Sequence, residues 1–289
     1  MVSNSLEIEY GVKSNYLPHI LYENSLGKIH SVFQTSFNLV IQDKLVHVGS
    51  LGTPLSAFGV NIPRNSLQQL LKRISAGNPV RYEDGKIMID TTNDDCKIKL
   101  DKLSEVDLRL NRLPINLVHV KNNEIFRLIN DIDFIRDSGV IRSVKESTLL
   151  NELIHAQSDD KKVIKASIEH FFGRGIGLTP SGDDFISGLI MVETSFSNDS
   201  YWKDELRECL SSHSTTDVSR NYYHCLLNGY ASESFKYLLS NLSVRVERAK
   251  ARRLVNNVTN YGHTSGIDTL FGIQVALKQL IQKNEFNNC

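Results

Sequence analysis

Two short segments of the chain combine glycines, hydroxyls and aspartates at matching spacing. The first is GLTPSGDDFISG at 177–188, and the second is GHTSGIDTLFG at 262–272. With one gap at Pro180, both fit the pattern G-x-T-(P)-S-G-x-D-x-x-x-G. We call them the first and second glycine motifs. These residue types suit an anion site, because free N–H groups at helix starts and hydroxyls donate hydrogen bonds. Carboxylates beside them orient the donors, hold a cation or bind N–H groups of a substrate.

The residues that the two motifs share are the candidates for a functional site. The aligned pairs are Gly177 and Gly262, Thr179 and Thr264, Ser181 and Ser265, Gly182 and Gly266, Asp184 and Asp268, and Gly188 and Gly272. A further hydroxyl-rich helix start, STTDVS at 214–219, adds Thr215 and Thr216. We predict substrate binding by Gly177, Thr179, Ser181, Gly182, Thr264, Ser265, Gly266, Thr215 and Thr216. We predict catalytic roles for Asp183, Asp184, Asp268 and His263.

Helix capping is an alternative interpretation of part of each motif. Ser181 and Ser265 suit N-cap positions, and Asp184 and Asp268 follow three residues later, as the acidic partner in a capping box does. Capping does not require the glycines that flank each serine. It therefore explains the serines and aspartates but leaves the rest of the pattern unexplained.

The last glycine of each motif is predicted to mark a helix crossing. Gly188 and Gly272 stand at the same offset inside predicted helices, where glycine costs roughly 0.5–1 kcal/mol relative to alanine. Two helices that both accept this cost are expected to approach closely at that point. Their N-termini would then converge on one small anion.

One histidine and one metal-binding alternative belong to the same motifs. His263 is the best-placed titratable side chain of the second motif and suits a general acid or base, while a hydrogen bond at the helix entry is an equal alternative. Oxygen ligands from Asp183, Asp184 and Asp268 would suit Mg²⁺. The sequence leaves the metal and any other cofactor unknown.

The elements around the motifs change character near Pro114. Residues 28–111 alternate apolar and polar positions as strands do, and Asp84-Gly85 is a strong hairpin signal. From about residue 117 the apolar residues recur at three- and four-residue spacing, as in helices. We predict an α+β protein with a β-rich domain over 1–116, packed on an all-helical domain over 117–289 that carries both motifs.

Composition limits the classes of partner. Lysine and arginine total 33, as do aspartate and glutamate, so the formal net charge is zero. Without a polybasic arm, nucleic acid is not an expected partner. Apolar runs fall far short of the ~20 residues that a bilayer span requires, and the N-terminus lacks the features of a signal peptide. We therefore expect no membrane association and a cytoplasmic location.

The two motifs, together with STTDVS and the segment VFQTSFNLVI at 32–41, resemble a family long catalogued as a domain of unknown function. Its best-understood member is the AllH subunit of oxamate carbamoyltransferase, an enzyme of anaerobic allantoin breakdown. The resemblance implies a multi-subunit transferase that interconverts oxalurate plus phosphate with oxamate plus carbamoyl phosphate. It also implies a small anionic substrate and other carbamoyltransferase subunits as partners. It assigns no catalytic residue.

Three functional hypotheses follow from these observations. In the first, the chain carries substrate-binding groups of a carbamoyltransferase, whose chemistry needs preorganised donors and precise positioning. In the second, it is a non-catalytic scaffold or small-anion-binding subunit, and the glycines serve helix packing. In the third, the paired aspartates belong to a metal-dependent hydrolase.

Overall fold

The computed structural model describes residues 6–91, 95–114, 116–156, 160–197, 200–262 and 264–287, and it divides the chain into two compact units. Unit 1 comprises Met1–Arg109 and the short segment Tyr230–Glu233. Unit 2 comprises Leu110–Gly229 and Ser234–Cys289. The N-terminal region is a strand-rich half-barrel and the C-terminal region is helical. The predicted α+β class, with strands first and helices after, is therefore confirmed.

Unit 1 is built on one ten-stranded sheet in the order β1-β9-β8-β7-β3-β4-β5-β6-β2-β10. Its strands are β1 (Leu6–Ile8), β2 (Val12–Ser14), β3 (Ser25–Val32), β4 (Phe37–Ile41), β5 (Lys44–Ser50), β6 (Gly59–Ile62), β7 (Pro79–Glu83), β8 (Lys86–Ile89), β9 (Cys96–Lys99) and β10 (Ser104–Val106). Helix α1 (Arg64–Leu71) and two short 3₁₀ turns, Leu17–His19 and Leu100–Lys102, complete the elements.

The hairpin between β7 and β8 forms where the sequence predicts it. Asp84 and Gly85 have φ values of 50° and 70°, the left-handed conformation that a two-residue type I′ turn requires at both positions. Glu83 therefore pairs directly with Lys86 in an antiparallel register. Most pairs in the sheet are antiparallel; β1 with β9, β2 with β10 and β5 with β6 are parallel.

The described part of unit 2 is helical. Its helices are α2 (Leu117–Asn122), α3 (Glu124–Asn130), α4 (Phe134–Asp137), α5 (Val144–His155), α6 (Lys161–Phe171), α7 (Ser181–Phe196), α8 (Tyr201–Ser212), α9 (Asp217–Leu227), α10 (Glu233–Ser240), α11 (Arg248–Thr259) and α12 (Ser265–Asn287). Among the described helices, none combines the length and hydropathy needed to cross a bilayer.

Helix α7, which begins inside the first glycine motif, is the centre of unit 2. Every residue of α7 except Thr194 is buried, as expected for a helix whose neighbours cover all its faces. Helix α12 packs along it, and α6, α8 and α9 cover its other sides. Phe185 of α7 meets Phe171 and Phe271, with ring centroids 5.0 and 5.4 Å away. The first motif is therefore held by the best-packed part of the helical unit.

Candidate functional site

Helices α7 and α12 cross at the last glycine of each motif, as predicted. A Cβ atom on Gly188 would collide with the carbonyl oxygen of Thr269, and one on Gly272 would collide with that of Phe185. The same Cβ on Gly272 would lie 3.1 Å from the Cα of Gly188. Because the obstructing atoms are backbone, no side-chain movement can make room. Glycine at both positions brings the two helix starts together.

The two motifs also begin their helices in the same way. Gly182 packs against the carbonyl of Phe171, in the last turn of α6, and its N–H donates to the Arg174 carbonyl at 2.8 Å. Gly266 packs against the carbonyl of Val258, in the last turn of α11, and its N–H donates to the Tyr261 carbonyl at 3.0 Å. The sequence repeat is therefore a structural repeat of a helix–loop–helix.

These contacts correct two details of the sequence interpretation. The N–H groups of Gly182 and Gly266 are engaged by backbone carbonyls, so they are not open donors for an anion. Ser181 is not an N-cap: α7 begins at Ser181 itself, the preceding position is Pro180, and no side chain caps the helix. Pro180, which has no counterpart in the second motif, occupies the N-cap position of α7 with an extended backbone. Ser181 is therefore the first helical residue.

Asp184 is deeply buried where the two motifs meet. Its carboxyl group is hydrogen-bonded by Ser265, from the second motif, and by Thr179, from its own. Burial raises the pKa of Asp184 well above its usual value, and the nearby charge of Asp268 raises it further, against the effect of those hydrogen bonds. Its Oδ2 atom is buried and has no hydrogen-bond partner. Burial thus favours the protonated form of this carboxyl group.

Asp268 is the counterpart of Asp184 in the second motif and has different partners. Its Oδ1 accepts hydrogen bonds from the Ser138 hydroxyl at 2.7 Å and the Gly139 N–H at 2.8 Å. Its Oδ2 is buried and unpartnered, as in Asp184. A Cβ on Gly139 would collide with the Ser181 hydroxyl, so Gly139 lies between the two motifs. The structure thus brings together four of the predicted residues, Ser181, Asp184, Ser265 and Asp268, with Thr179 beside them.

Asp183 forms a separate network on the other side of α7. Its Oδ1 accepts from the Gly173 N–H at 2.7 Å and from the Tyr223 hydroxyl at 2.8 Å, and its Oδ2 accepts from the Thr215 hydroxyl. The Thr216 hydroxyl accepts from Ser219 N–H and caps α9. Both oxygens of Asp183 are therefore occupied by protein donors. This network fixes the loop between α6 and α7 to the start of α9.

The described part of the site offers no cluster of the kind that holds a metal ion. Among the residues that the structure describes, no three histidine, cysteine, aspartate or glutamate side chains are grouped to hold a metal ion. Gly177 is exposed, and a Cβ atom added to it would meet no atom within 4 Å. Thr264 accepts the Asp268 N–H through its backbone carbonyl at 2.9 Å. His263 lies outside the described residues.

Sequence reasoning missed Ser138 and Gly139, which contact Asp268. They stand in a short DSG stretch before α5, far from either motif in sequence. Nothing in the local pattern distinguishes them from an ordinary turn, because Asp, Ser and Gly are common turn residues. Only the three-dimensional arrangement shows that they complete the second motif.

Family comparisons agree with this architecture. A model described as "Oxamate carbamoyltransferase subunit AllH" matches residues 171–277, which include both glycine motifs. A model described as "AllH family N-terminal domain" matches residues 6–105. The chain belongs to the AllH family. No solved structure matches it.

Proposed function

We propose that this chain carries acid–base and substrate-binding groups of a carbamoyltransferase that interconverts oxalurate plus phosphate with oxamate plus carbamoyl phosphate. Membership of a family described as an oxamate carbamoyltransferase subunit supports the reaction class and implies other subunits. One observation supports the location: Asp184 and Asp268 each keep a buried carboxyl oxygen without a partner where the two motifs meet. Buried polar atoms ordinarily have partners, so these two oxygens are suited to a ligand.

The reaction itself requires a proton at one nitrogen. A phosphate oxygen attacks the carbamoyl carbon of oxalurate, the bond from that carbon to the oxamate nitrogen breaks, and the nitrogen takes up a proton. Burial raises the pKa of Asp184, so its carboxyl group holds a proton to higher pH than an ordinary aspartate does and can deliver it to that nitrogen. The hydrogen phosphate ion loses its own proton as it becomes carbamoyl phosphate, and that proton returns the Asp184 carboxylate to its acid form. In the reverse direction the same proton transfers run backwards. Asp268, through its unpartnered oxygen, accepts an amide N–H of the substrate.

The hydroxyl groups of the two motifs help to orient the carboxyl groups of Asp184 and Asp268. Ser265 and Thr179 donate to Asp184, and Ser181 stands next to Gly139, whose N–H contacts Asp268. Such contacts fix side-chain orientation before substrate arrives, which is how positioning lowers a barrier. A helix-start anion site is a weaker proposal, since the N–H groups of Gly182 and Gly266 bond to backbone carbonyls.

A non-catalytic scaffold is the second candidate. The observation that favours it is the use of Gly182, Gly188, Gly266 and Gly272 for close backbone packing. Packing alone would retain these glycines without any chemistry. It offers no reason for two buried carboxyl groups with unpartnered oxygens, which cost stability.

Carbamoyl transfer by the complex of this chain with its partner subunits tests the proposal. We expect Asp184→Asn to lower kcat by roughly 100-fold or more, the usual contribution of a general acid or base. Asp204→Asn is the matched control, because Asp204 also stands in the first turn of a helix but is exposed. Full activity of Asp184→Asn in an intact complex would reject the acid–base role and favour the scaffold. A wild-type complex without transfer activity would reject the reaction.

A further inference from the structure

The loop between α4 and α5, residues 138–142, breaks the symmetry of the two motifs. Asp184 is contacted by Ser265, a residue of the opposite motif. In a symmetric site, Asp268 would be contacted by Ser181. Instead, Ser138 and Gly139 occupy Asp268 Oδ1. Among the described residues, the 138–142 loop donates hydrogen bonds to Asp268 and not to Asp184, so the two halves of the site are chemically different.

The same loop carries an arginine whose guanidinium group is held beside Ser181. Arg142 Nε donates to the Gly139 carbonyl at 3.0 Å. A Cβ on Gly139 would lie 3.2 Å from Arg142 Nη2 and would collide with the Ser181 hydroxyl. Among the described residues, Nη1 and Nη2 of Arg142 have no hydrogen-bond or ion-pair partner. The outer edge of this guanidinium group is therefore free to donate two parallel hydrogen bonds.

A buried glutamate, Glu146, holds the backbone of Arg142 and the side chain of Arg174 in place. Glu146, 3% exposed, accepts the Arg142 N–H through Oε2 at 2.8 Å and the Arg174 side chain through Oε1 at 3.0 Å. Burial raises the pKa of Glu146, but hydrogen bonds from Arg142, Ser143 and Arg174 outweigh it, and the pKa lies below its usual value. Glu146 thus stays ionised and fixes the backbone of Arg142. The Arg174 carbonyl also accepts the Gly182 N–H, so the anchor is continuous with the start of α7.

We propose that Arg142 binds a small oxyanion at this site, with Asp268 and Ser181 beside it. A planar guanidinium edge with two free donors matches a carboxylate or a phosphate in bidentate geometry. The unpartnered, fully buried oxygen of Asp268 adds an acceptor on the other side of Gly139. Oxamate carries a carboxylate and a carboxamide on adjacent carbon atoms. These are the two groups that Arg142 and Asp268 would recognise, a carboxylate for the guanidinium group and an amide N–H for the carboxylate, and the identity of the oxyanion as oxamate rests on the proposed function.

Binding measurements on the full chain in complex with its partner subunits test this site. Oxamate and inorganic phosphate are titrated separately by calorimetry against wild type, Arg142→Gln, Arg142→Lys and Arg207→Gln. Arg207 is the matched control, because it is an exposed arginine on α8 that pairs only with Asp204 among the described residues. We expect Arg142→Gln to raise the Kd of oxamate by about 10-fold or more, the scale of a lost charge-assisted hydrogen bond. Arg207→Gln is expected to bind as wild type does.

The two ligands and the lysine variant distinguish the possible outcomes. Weakened binding of phosphate with oxamate unchanged assigns the phosphate group to Arg142 and removes oxamate from it. Arg142→Lys keeps the charge without the planar fork, and we expect it to bind several-fold more weakly than wild type. Arg142→Gln with unchanged affinity for both ligands, at an unchanged Tm, would overturn the site. If Arg142 governs oxamate binding but the complex transfers no carbamoyl group, the oxyanion site stands and the proposed reaction fails.

Discussion

Asp183 and Asp184 are neighbours in sequence, yet their surroundings differ sharply. Asp183 accepts hydrogen bonds from Gly173, Tyr223 and Thr215, which satisfy both of its oxygens. Asp184 keeps one buried oxygen without a partner, and burial raises its pKa. Successive helix residues point about 100° apart, so one aspartate faces α9 and the other faces the second motif. Asp183 thus holds neighbouring segments together, whereas Asp184 keeps the unpartnered oxygen on which the proposed function depends.

The raised pKa of Asp184 predicts a pH-dependent effect of its replacement on stability. An unfolded aspartate loses its proton near pH 3.9, whereas the folded carboxyl group retains it to higher pH. The folded state therefore binds more protons above that pH, and wild-type stability falls as the pH rises toward the folded pKa. Asp184→Asn does not titrate, so we expect it to gain stability relative to wild type between about pH 4 and neutral pH.

Urea denaturation of both proteins across this pH range measures the difference. Near pH 4 the two free energies of unfolding are expected to lie closest together, and the advantage of Asp184→Asn is expected to grow with pH. Asp204→Asn, measured in parallel, is the control for removing a carboxylate at an exposed position. A difference that stays constant with pH would contradict the inferred shift.

At the scale of elements, the sequence predicted the crossing of the two helices that follow the glycine motifs, but not the helix–loop–helix repeat around them. Glycines at the same interior offset predicted the crossing of α7 and α12, since glycine in a helix needs a reason such as close packing. The hydrogen bonds that the N–H groups of Gly182 and Gly266 donate to backbone carbonyls could not be predicted. They depend on how the loops from α6 and α11 return to the next helix, and residue type alone does not specify a loop path.

Because α7 and α12 cross so closely, adding one carbon atom at either crossing glycine is expected to lower the stability of the protein. In Gly188→Ala and Gly272→Ala the new Cβ meets the backbone of the partner helix, which cannot rotate away. We expect each variant to lose about 1–3 kcal/mol of stability by overpacking, despite the better helix propensity of alanine. Thermal and urea denaturation measure the loss.

Ser187→Ala is the matched control for the crossing. It changes the adjacent residue of α7 without adding an atom, and it removes only a hydroxyl that donates to the Asp183 carbonyl at 2.8 Å. We expect this variant to stay within about 1 kcal/mol of wild type. Gly188→Ala at wild-type stability would show that the helices are further apart than the structure has them.

At the scale of the whole molecule, the change from strands to helices was predictable, but the return of the chain to unit 1 was not. Tyr230–Glu233 belongs with the strand-rich unit. Glu233 exchanges two hydrogen bonds with Leu55, both 2.9 Å long, and the Ser232 hydroxyl accepts the Ala57 N–H at 3.2 Å. The first three of these residues lie between α9 and α10, Glu233 begins α10, and the four carry no strand pattern of their own. Sequence periodicity needs a longer segment than this to be detected.

The hydrogen bonds between Glu233 and Leu55 predict that the stability of unit 1 depends on a residue far along the chain. Glu233→Ala leaves the N–H of Leu55 without its acceptor, and we expect a loss of roughly 1–2 kcal/mol. Hydrogen exchange is the more specific readout, because the Leu55 amide should exchange faster. Glu247→Ala, which removes a helix-boundary glutamate that makes no cap hydrogen bond, is the control. An unchanged exchange rate at Leu55 would contradict the contact.

The contact of Gly139 with Asp268 has a consequence for how the protein folds. It joins positions 129 residues apart, whereas the helix–loop–helix pairs α6–α7 and α11–α12 are local. Closing a long loop costs more chain entropy than closing a short one, so local pairs assemble early and distant ones late. The two half-sites therefore form before they meet. During refolding, the contacts between the two half-sites should form only with the final docking of α12 on α7, later than helical content and in a single step.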